Sequence, residues 1–187
     1  FEVSYETIRV WEFRFAPLVS ENLRNKRRGI AGHSWYLDET YIKVKGRWTY
    51  FYRAVGREGQ TLDFMLSERR SLAAARRFFR RAIALSGVPD RVVIDKSGAN
   101  LAGLQAVNVI LKFTGNGRTM EVRQVKYLNN ILEQDHRFIK RITVPMTGFK
   151  AFHSAAATIA GIGAAHMIRK GQIPANGTTA FQTFAAL

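Results

Sequence analysis

At 187 residues the chain is long enough for one domain with a sizeable core, or one domain and a small appendage. Its 29 Lys and Arg against 14 Asp and Glu leave a net charge of +15, far past what solubility requires, which points to a polyanionic partner. Cysteine is absent, which excludes disulfides and thiolate zinc sites, and no apolar run nears the ~20 residues that span a bilayer. A soluble, cytoplasmic protein that works on nucleic acid, with no membrane partner, is the expected class.

Residues 4–25 read as a helix, with Ile8, Trp11, Phe15, Leu18 and Leu23 at roughly helical spacing and Pro17 marking a break or a second start. The chain begins at Phe1, in mid-motif, so a preceding segment is expected. RNKRRG (24–29) follows as a basic linker ending in glycine. Three strands at about 35–44, 47–55 and 60–66, with turns at Gly46 and at Gly56 and Gly59, form a β-meander. Trp35, Trp48, Tyr50 and Phe51 are read as core and sheet packing rather than as base-stacking platforms.

SLAAARRFFRRAIALSG (71–87) is an amphipathic helix with Ser71 as its N-cap and Gly87 as its stop. Leu72, Ala75, Phe79 and Ile83 make its apolar stripe. Arg76, Arg77, Arg80 and Arg81 share the other side, as a solvated face or a DNA contact. DRVVID (90–95) is a short buried strand ending on an acid, and GANLAGLQAVN a helix. GNG (115–117) is a turn and EVRQV (121–125) a strand; helices follow from Asn129 to Ile142 and from Gly148 to about Lys170. A loose tail closes the chain. The order predicts an α/β fold, a mixed sheet of three antiparallel strands and then parallel ones, flanked by helices. This is the element order of the RNase H-like fold.

Three carboxylates stand out in that order. Asp38 interrupts the first strand, Asp95 ends the fourth, and Glu133 opens a late helix. If the first and fourth strands are neighbours, Asp38 and Asp95 share an edge region to which the helix brings Glu133. Grouped carboxylates repel, and hard oxygen ligands of this kind suit Mg²⁺ or Mn²⁺. Two such ions ~4 Å apart activate a water or a 3′-hydroxyl and stabilise the leaving oxygen at phosphorus. Each acid also has an ordinary reading: Asp38 on a solvated edge, Asp95 as a helix cap, Glu133 in a capping box with Asn130 or paired with Arg137. Glu39 points to the face opposite Asp38, and Asp63 on the third strand is less aptly placed. His33, His136, His153 and His166 lack metal-ligand spacing, and only His136 falls near the acids. No glycine fingerprint, Walker loop or HExxH motif is present.

LDETYIKVKGRWTYFYRAV, DFMLSERRSLAAARRFFRRA, VVIDKSGAN, RQVKYLNNILEQDHRFIKR and MTGFKAFHSAAATIAGIGAAHMIRKGQ together resemble bacterial insertion-sequence DDE transposases of the IS-six family, with an integrase-like catalytic core, over about residues 3–172. The resemblance implies Mg²⁺-dependent cleavage of double-stranded DNA at terminal inverted repeats and joining of the freed 3′-hydroxyl to target DNA. It implies Asp38, Asp95 and Glu133 as the catalytic, metal-binding acids, holding two ions. Between Asp95 and Glu133 lie 37 residues, a few more than the family's usual spacing, and Asp135 is the alternative acid. The family's basic residue seven positions after the Glu is Lys140, two helical turns or roughly 10 Å along the axis. Arg137, Arg141, Lys96, Asn129 and Asn130 are the accompanying DNA-binding candidates.

VSYETIRVW (3–11) resembles the second half of a helix-turn-helix, in which Ser4, Tyr5, Thr7 and Arg9 would read bases. The expected organisation is a partial helix-turn-helix segment and basic linker over 1–30, the catalytic domain over 31–172 and a tail over 173–187. A homodimer or larger assembly on paired DNA ends is implied, at the bacterial nucleoid. Two rivals remain: a non-catalytic DNA-binding remnant, and an RNase H-like nuclease that only hydrolyses.

Overall fold

The structure, a computed structural model, describes residues 2–26, 32–96, 98–114, 118–125 and 130–173, with 179 and 182. The side chains of residues 130, 131, 134 and 135 fall outside that description. So do Asn129, the GNG turn, the second half of the RNKRRG linker and most of the expected tail.

The first helix, α1 (Tyr5–Lys26), starts where the Thr7 backbone N–H donates to Ser4 Oγ at 3.2 Å, the chemistry of an N-cap. It runs unbroken through Pro17, where a break was expected, because the turns beyond the proline dock along the last long helix. The expected apolar stripe is corrected here. Ile8, Trp11, Phe15 and Leu18 are exposed, and the buried positions are Ser20, Leu23 and Arg24.

The meander follows as β1 (Ser34–Val44), β2 (Arg47–Gly56) and β3 (Thr61–Ser67). Lys45 and Gly46 turn β1 into β2 with φ of +50° and +74°. A two-residue turn with both φ positive matches the right-handed twist of its strands. Then come α2 (Leu72–Ser86), β4 (Arg91–Ile94), α3 (Gly98–Thr114), β5 (Glu121–Gln124), α4 (Asn130–Thr143) and α5 (Phe152–Arg169). The sheet order is β3-β2-β1-β4-β5. The first three strands are antiparallel, and β4 and β5 run parallel to β1, the mixed sheet that the element order predicts.

Side chains alternate across a strand, so β1 feeds two cores. On one face Trp35 and Leu37 pack with Tyr52, with Phe78 and Phe79 of α2, and with Leu104 of α3. On the other, Ile42 and Val44 pack with Phe51, Phe64, Leu23 of α1, Ile139 of α4 and Ile159 of α5. The result is three layers, helices on both faces of the sheet.

Both ends of α2 are as expected: Ser71 Oγ accepts the Ala74 N–H at 3.2 Å, and Gly87, at φ +81°, donates to the Ile83 carbonyl at 2.8 Å. Its stripe is shifted. Leu72 is exposed, and Ala74, Ala75, Phe78, Phe79, Ala82 and Leu85 are buried. Arg81 leaves the solvated side to join Arg24 on the fully buried Asp63: Arg81 Nε donates to Oδ2 at 2.7 Å and Arg24 Nε to Oδ1 at 3.1 Å. A buried carboxylate is tolerable only when cations meet it. Burial works against the Arg24 charge and holds its guanidinium below the ordinary value despite Asp63.

Candidate active site

The β1–β4 ladder ends at the pair Leu37 and Ile94, and β1 continues past it. The next residues, Asp38 and Asp95, therefore stand side by side at the carboxyl end of β4, where parallel sheets open a crevice for ligands. Asp38 is the first residue of β1 past its ladder with β4.

Asp38 is half-buried. Its Oδ1 accepts the Glu39 backbone N–H at 2.7 Å, and its Oδ2 lies 3.6 Å from Nε2 of the buried His136 of α4. Burial pushes the Asp38 carboxyl up to about 6; the Glu39 N–H opposes the shift, Asp95 adds to it, and Lys140 opposes it. Two hard oxygen donors that resist sharing negative charge are what a divalent cation relieves, so these residues fit such an ion.

Of the remaining candidates, Lys140 lies on α4 within electrostatic reach of Asp38. Glu133 is exposed in the first turn of α4, two turns before Lys140. Among the described residues no three of His, Asp and Glu converge closely enough to hold a metal ion, so the structure brings two of the three acids together and leaves Glu133 apart. Lys96 is exposed beside Asp95, and Arg137 and Arg141 are exposed on α4. Asn130 opens α4, with its side chain outside the described residues, as are Asn129 and the side chain of the alternative acid Asp135.

At the start of α1, Ser4 and Thr7 are engaged in the helix cap, and Arg9 pairs with Glu6 at 2.9 Å. These N-terminal candidates belong to α1, which packs on α5.

His136, the one histidine expected near the acids, is there, and Arg70 is a neighbour that the sequence did not reveal. His136 touches Asp38; its place three residues after Glu133 and four before Lys140, on one helical face, is the signal that points to it. Arg70 forms an ion pair with the buried Glu39, Nε to Oε2 at 2.9 Å. Burial works against its charge, but Glu39, Tyr41 and Asp95 outweigh this and hold the guanidinium above its ordinary value. No local pattern announces Arg70, since only the meander carries it there. Glu39 does take the face opposite Asp38, as expected. The other histidines are occupied elsewhere: His33 by Asp90 at 2.6 Å, His153 by the edge of Phe13, and His166 stacked on Phe138.

Comparison with known proteins bears on the same region. The model of the DDE domain family matches residues 32–172, which include both aspartates, Glu133 and Lys140. The transposase for insertion sequence-like element IS431mec of Staphylococcus aureus is 35% identical over 160 residues, covering 86% of this chain and 68% of that protein. The transposase for insertion sequence element IS257 in transposon Tn4003 of Staphylococcus aureus matches to the same extent. The catalytic core domain of HTLV-2 integrase superposes with a TM-score of 0.54 at 16% identity, covering 83% of this chain and 98% of that one. The core of BIV integrase gives 0.54 at 16% identity, with 83% and 95% covered. These two likenesses establish the RNase H-like fold. With the family model and the insertion-sequence relatives, they show that the chain belongs to the DDE-domain transposases of bacterial insertion sequences, polynucleotidyl transferases by family.

Proposed function

We propose that this chain cuts DNA strands at the terminal inverted repeats of its element and joins the freed 3′-hydroxyl to target DNA. The observation that carries the reading is the adjacency of Asp38 and Asp95 at the ends of neighbouring parallel strands, with burial and mutual repulsion raising the Asp38 carboxyl to about 6. Asp38 and Asp95 would hold Mg²⁺ or Mn²⁺, with Glu133 completing the set and two ions in all. Bound there, the metal supplies Lewis-acid stabilisation of charge at phosphorus and a more acidic attacking hydroxyl. In support, the HTLV-2 integrase core that shares the fold is described in complex with magnesium.

The chain's own residues orient and neutralise. The Glu39 N–H fixes one oxygen of Asp38, and His136 limits the freedom of the other. Lys140, Arg137, Arg141 and Lys96 hold backbone phosphates beside the acids, and Asn129 and Asn130 are read as further DNA contacts. Thr7 and Arg9 lie in the segment 1–30, read as part of a DNA-binding unit that precedes the catalytic domain over 31–172 and the tail over 173–187. Paired DNA ends call for a dimer or larger assembly.

The test is a labelled duplex ending in the terminal repeat, incubated with Mn²⁺ and assayed for cut and joined products. Asp38→Asn, Asp95→Asn and Glu133→Gln should each lower cleavage by more than about a hundredfold, since even outer-shell changes cost 10–100-fold, while DNA binding persists. Cleavage without joining would replace this reading by a hydrolytic nuclease. Binding that ignores Mg²⁺, with no cleavage by the unaltered chain, would replace it by a DNA-gripping remnant.

A further inference from the structure

Beyond Leu37 β1 leaves its ladder with β4, its far end is bridged by Phe149, whose backbone pairs with Lys43 and Lys45, and a cleft of about 780 Å³ opens between these points. Tyr41, Trp48 and Tyr50 line it from the sheet, and Lys140, Thr143 and Val144 from the end of α4. Trp48 is 62% exposed, so its packing role, expected from sequence, is corrected, and Tyr41 is 48% exposed. Trp35 and Phe51 are buried as expected. The β1–β2 hairpin extends past the paired parts of β3 and β4, and Trp48 stands on that extension.

The rings form a set: Tyr41 meets Trp48 edge-on at 6.5 Å and Tyr50 at 5.5 Å. Flat apolar faces held open to solvent cost free energy unless a planar partner covers them. Two cations, Lys43 and Lys140, stand at the same cleft, which suits an aromatic partner carried on an anionic backbone. Lys140 also acts on Asp38; Tyr41, three residues or roughly 10 Å further along β1, projects from the opposite face, so the cleft joins the two faces around the strand's edge.

We propose that this cleft receives an unpaired nucleotide base of the DNA strand held at the acids, stacked on Trp48 and Tyr41 with its phosphates near Lys43 and Lys140. The proposal rests on the transposase reading for the identity of the strand. Stacking is tolerant of sequence because every base has a π-face, so the cleft reads the unpaired state of a nucleotide rather than its identity. It would thus favour DNA ends that are frayed next to the scissile phosphate.

The experiment titrates the 187-residue chain into two oligonucleotides, without metal. One is a duplex with a single-stranded 3′ overhang carrying 2-aminopurine; the other is the matched blunt duplex. The unaltered chain should quench the 2-aminopurine fluorescence on binding. Trp48→Ala and Tyr41→Ala should abolish the quenching and weaken overhang binding roughly tenfold or more, leaving blunt-duplex binding within about twofold. Trp48→Phe should keep most of both, which with an unchanged melting temperature rules out misfolding. The proposal is overturned if Trp48→Ala binds the overhang as tightly as the unaltered chain, or loses both duplexes equally. It is also overturned if Trp48→Ala abolishes only self-association, which would assign the cleft to a second copy. Trp48-dependent quenching without strand cleavage would support the cleft and sink the cutting reading. Cleavage without Trp48 dependence would do the reverse.

Discussion

A carboxyl whose side chain is only 21% exposed, with a second acid beside it, ionises reluctantly, and Asp38 rises from 3.8 to about 6 on folding. Because the folded value lies above the unfolded one, the native state binds the proton more tightly between about pH 4 and 6. Stability therefore falls as pH rises through that window, and the full cost is present above it. Asp38→Asn removes the charge while its amide oxygen still accepts the Glu39 N–H. In chelator-containing buffer it should stabilise the fold by about 2 kcal/mol at pH 8 and by nothing below pH 4. Urea melts at the two pH values measure this; a gain that persisted in acid would assign the effect to packing. Mn²⁺ should raise the urea midpoint of the unaltered chain and leave that of Asp38→Asn unmoved, because the repulsion it offsets is gone.

Elements are joined by a few contacts that cannot be replaced locally. Asp63 of β3 receives Arg24 from α1 and Arg81 from α2, so one carboxylate ties helices on both sides of the sheet. Asp63→Asn leaves two guanidinium groups without their counter-charge. Arg81 is partly solvated, so the expected cost is at the low end for a broken buried pair, roughly 3 kcal/mol. It should appear as an earlier urea midpoint together with new protease cuts in α1. A midpoint loss with α1 still protected would mean that the helix is held by α5 alone. Close packing of α5 depends on Gly163, where an added Cβ would meet the ring of the buried Phe64. Gly163→Ala should destabilise by about 1–3 kcal/mol through overpacking, although alanine is the better helix former. A melting temperature at or above that of the unaltered chain would show that the Phe64 ring can move aside.

Across the whole molecule, charge is distributed toward one end of the chain: no Asp or Glu follows Asp135, while Arg137, Lys140, Arg141, Lys150, Arg169 and Lys170 do. Folding gathers several of these around α4. The guanidinium groups of Arg141 and Arg169 lie 6.0 and 5.6 Å from the Phe138 ring, and Arg137 and Lys140 border the same shallow cleft. With about six phosphate contacts, duplex affinity should fall on the order of a thousandfold between 50 and 200 mM salt. Fluorescence anisotropy across a salt series checks this. A flat salt response would remove the electrostatic part of the DNA-binding reading.

What the sequence determined alone is what neighbours along the chain decide. The Lys45–Gly46 turn, the Ser71 cap, the Gly87 stop and the alternation along β1 depend on residues a few positions apart, and all were legible. So was the anomaly of Asp38 in a strand, and with it the expectation that Asp95 lies alongside. Tertiary structure decided what covers each face. It left Ile8, Trp11 and Leu72 in water despite their helical spacing, and drew Arg81 inward to a carboxylate 18 residues away. It set His136 against Asp38 and left Trp48 uncovered at the strand edge. Periodicity marks the side of an element able to be buried. Whether that side is buried depends on a partner brought from elsewhere in the chain, which no local pattern records.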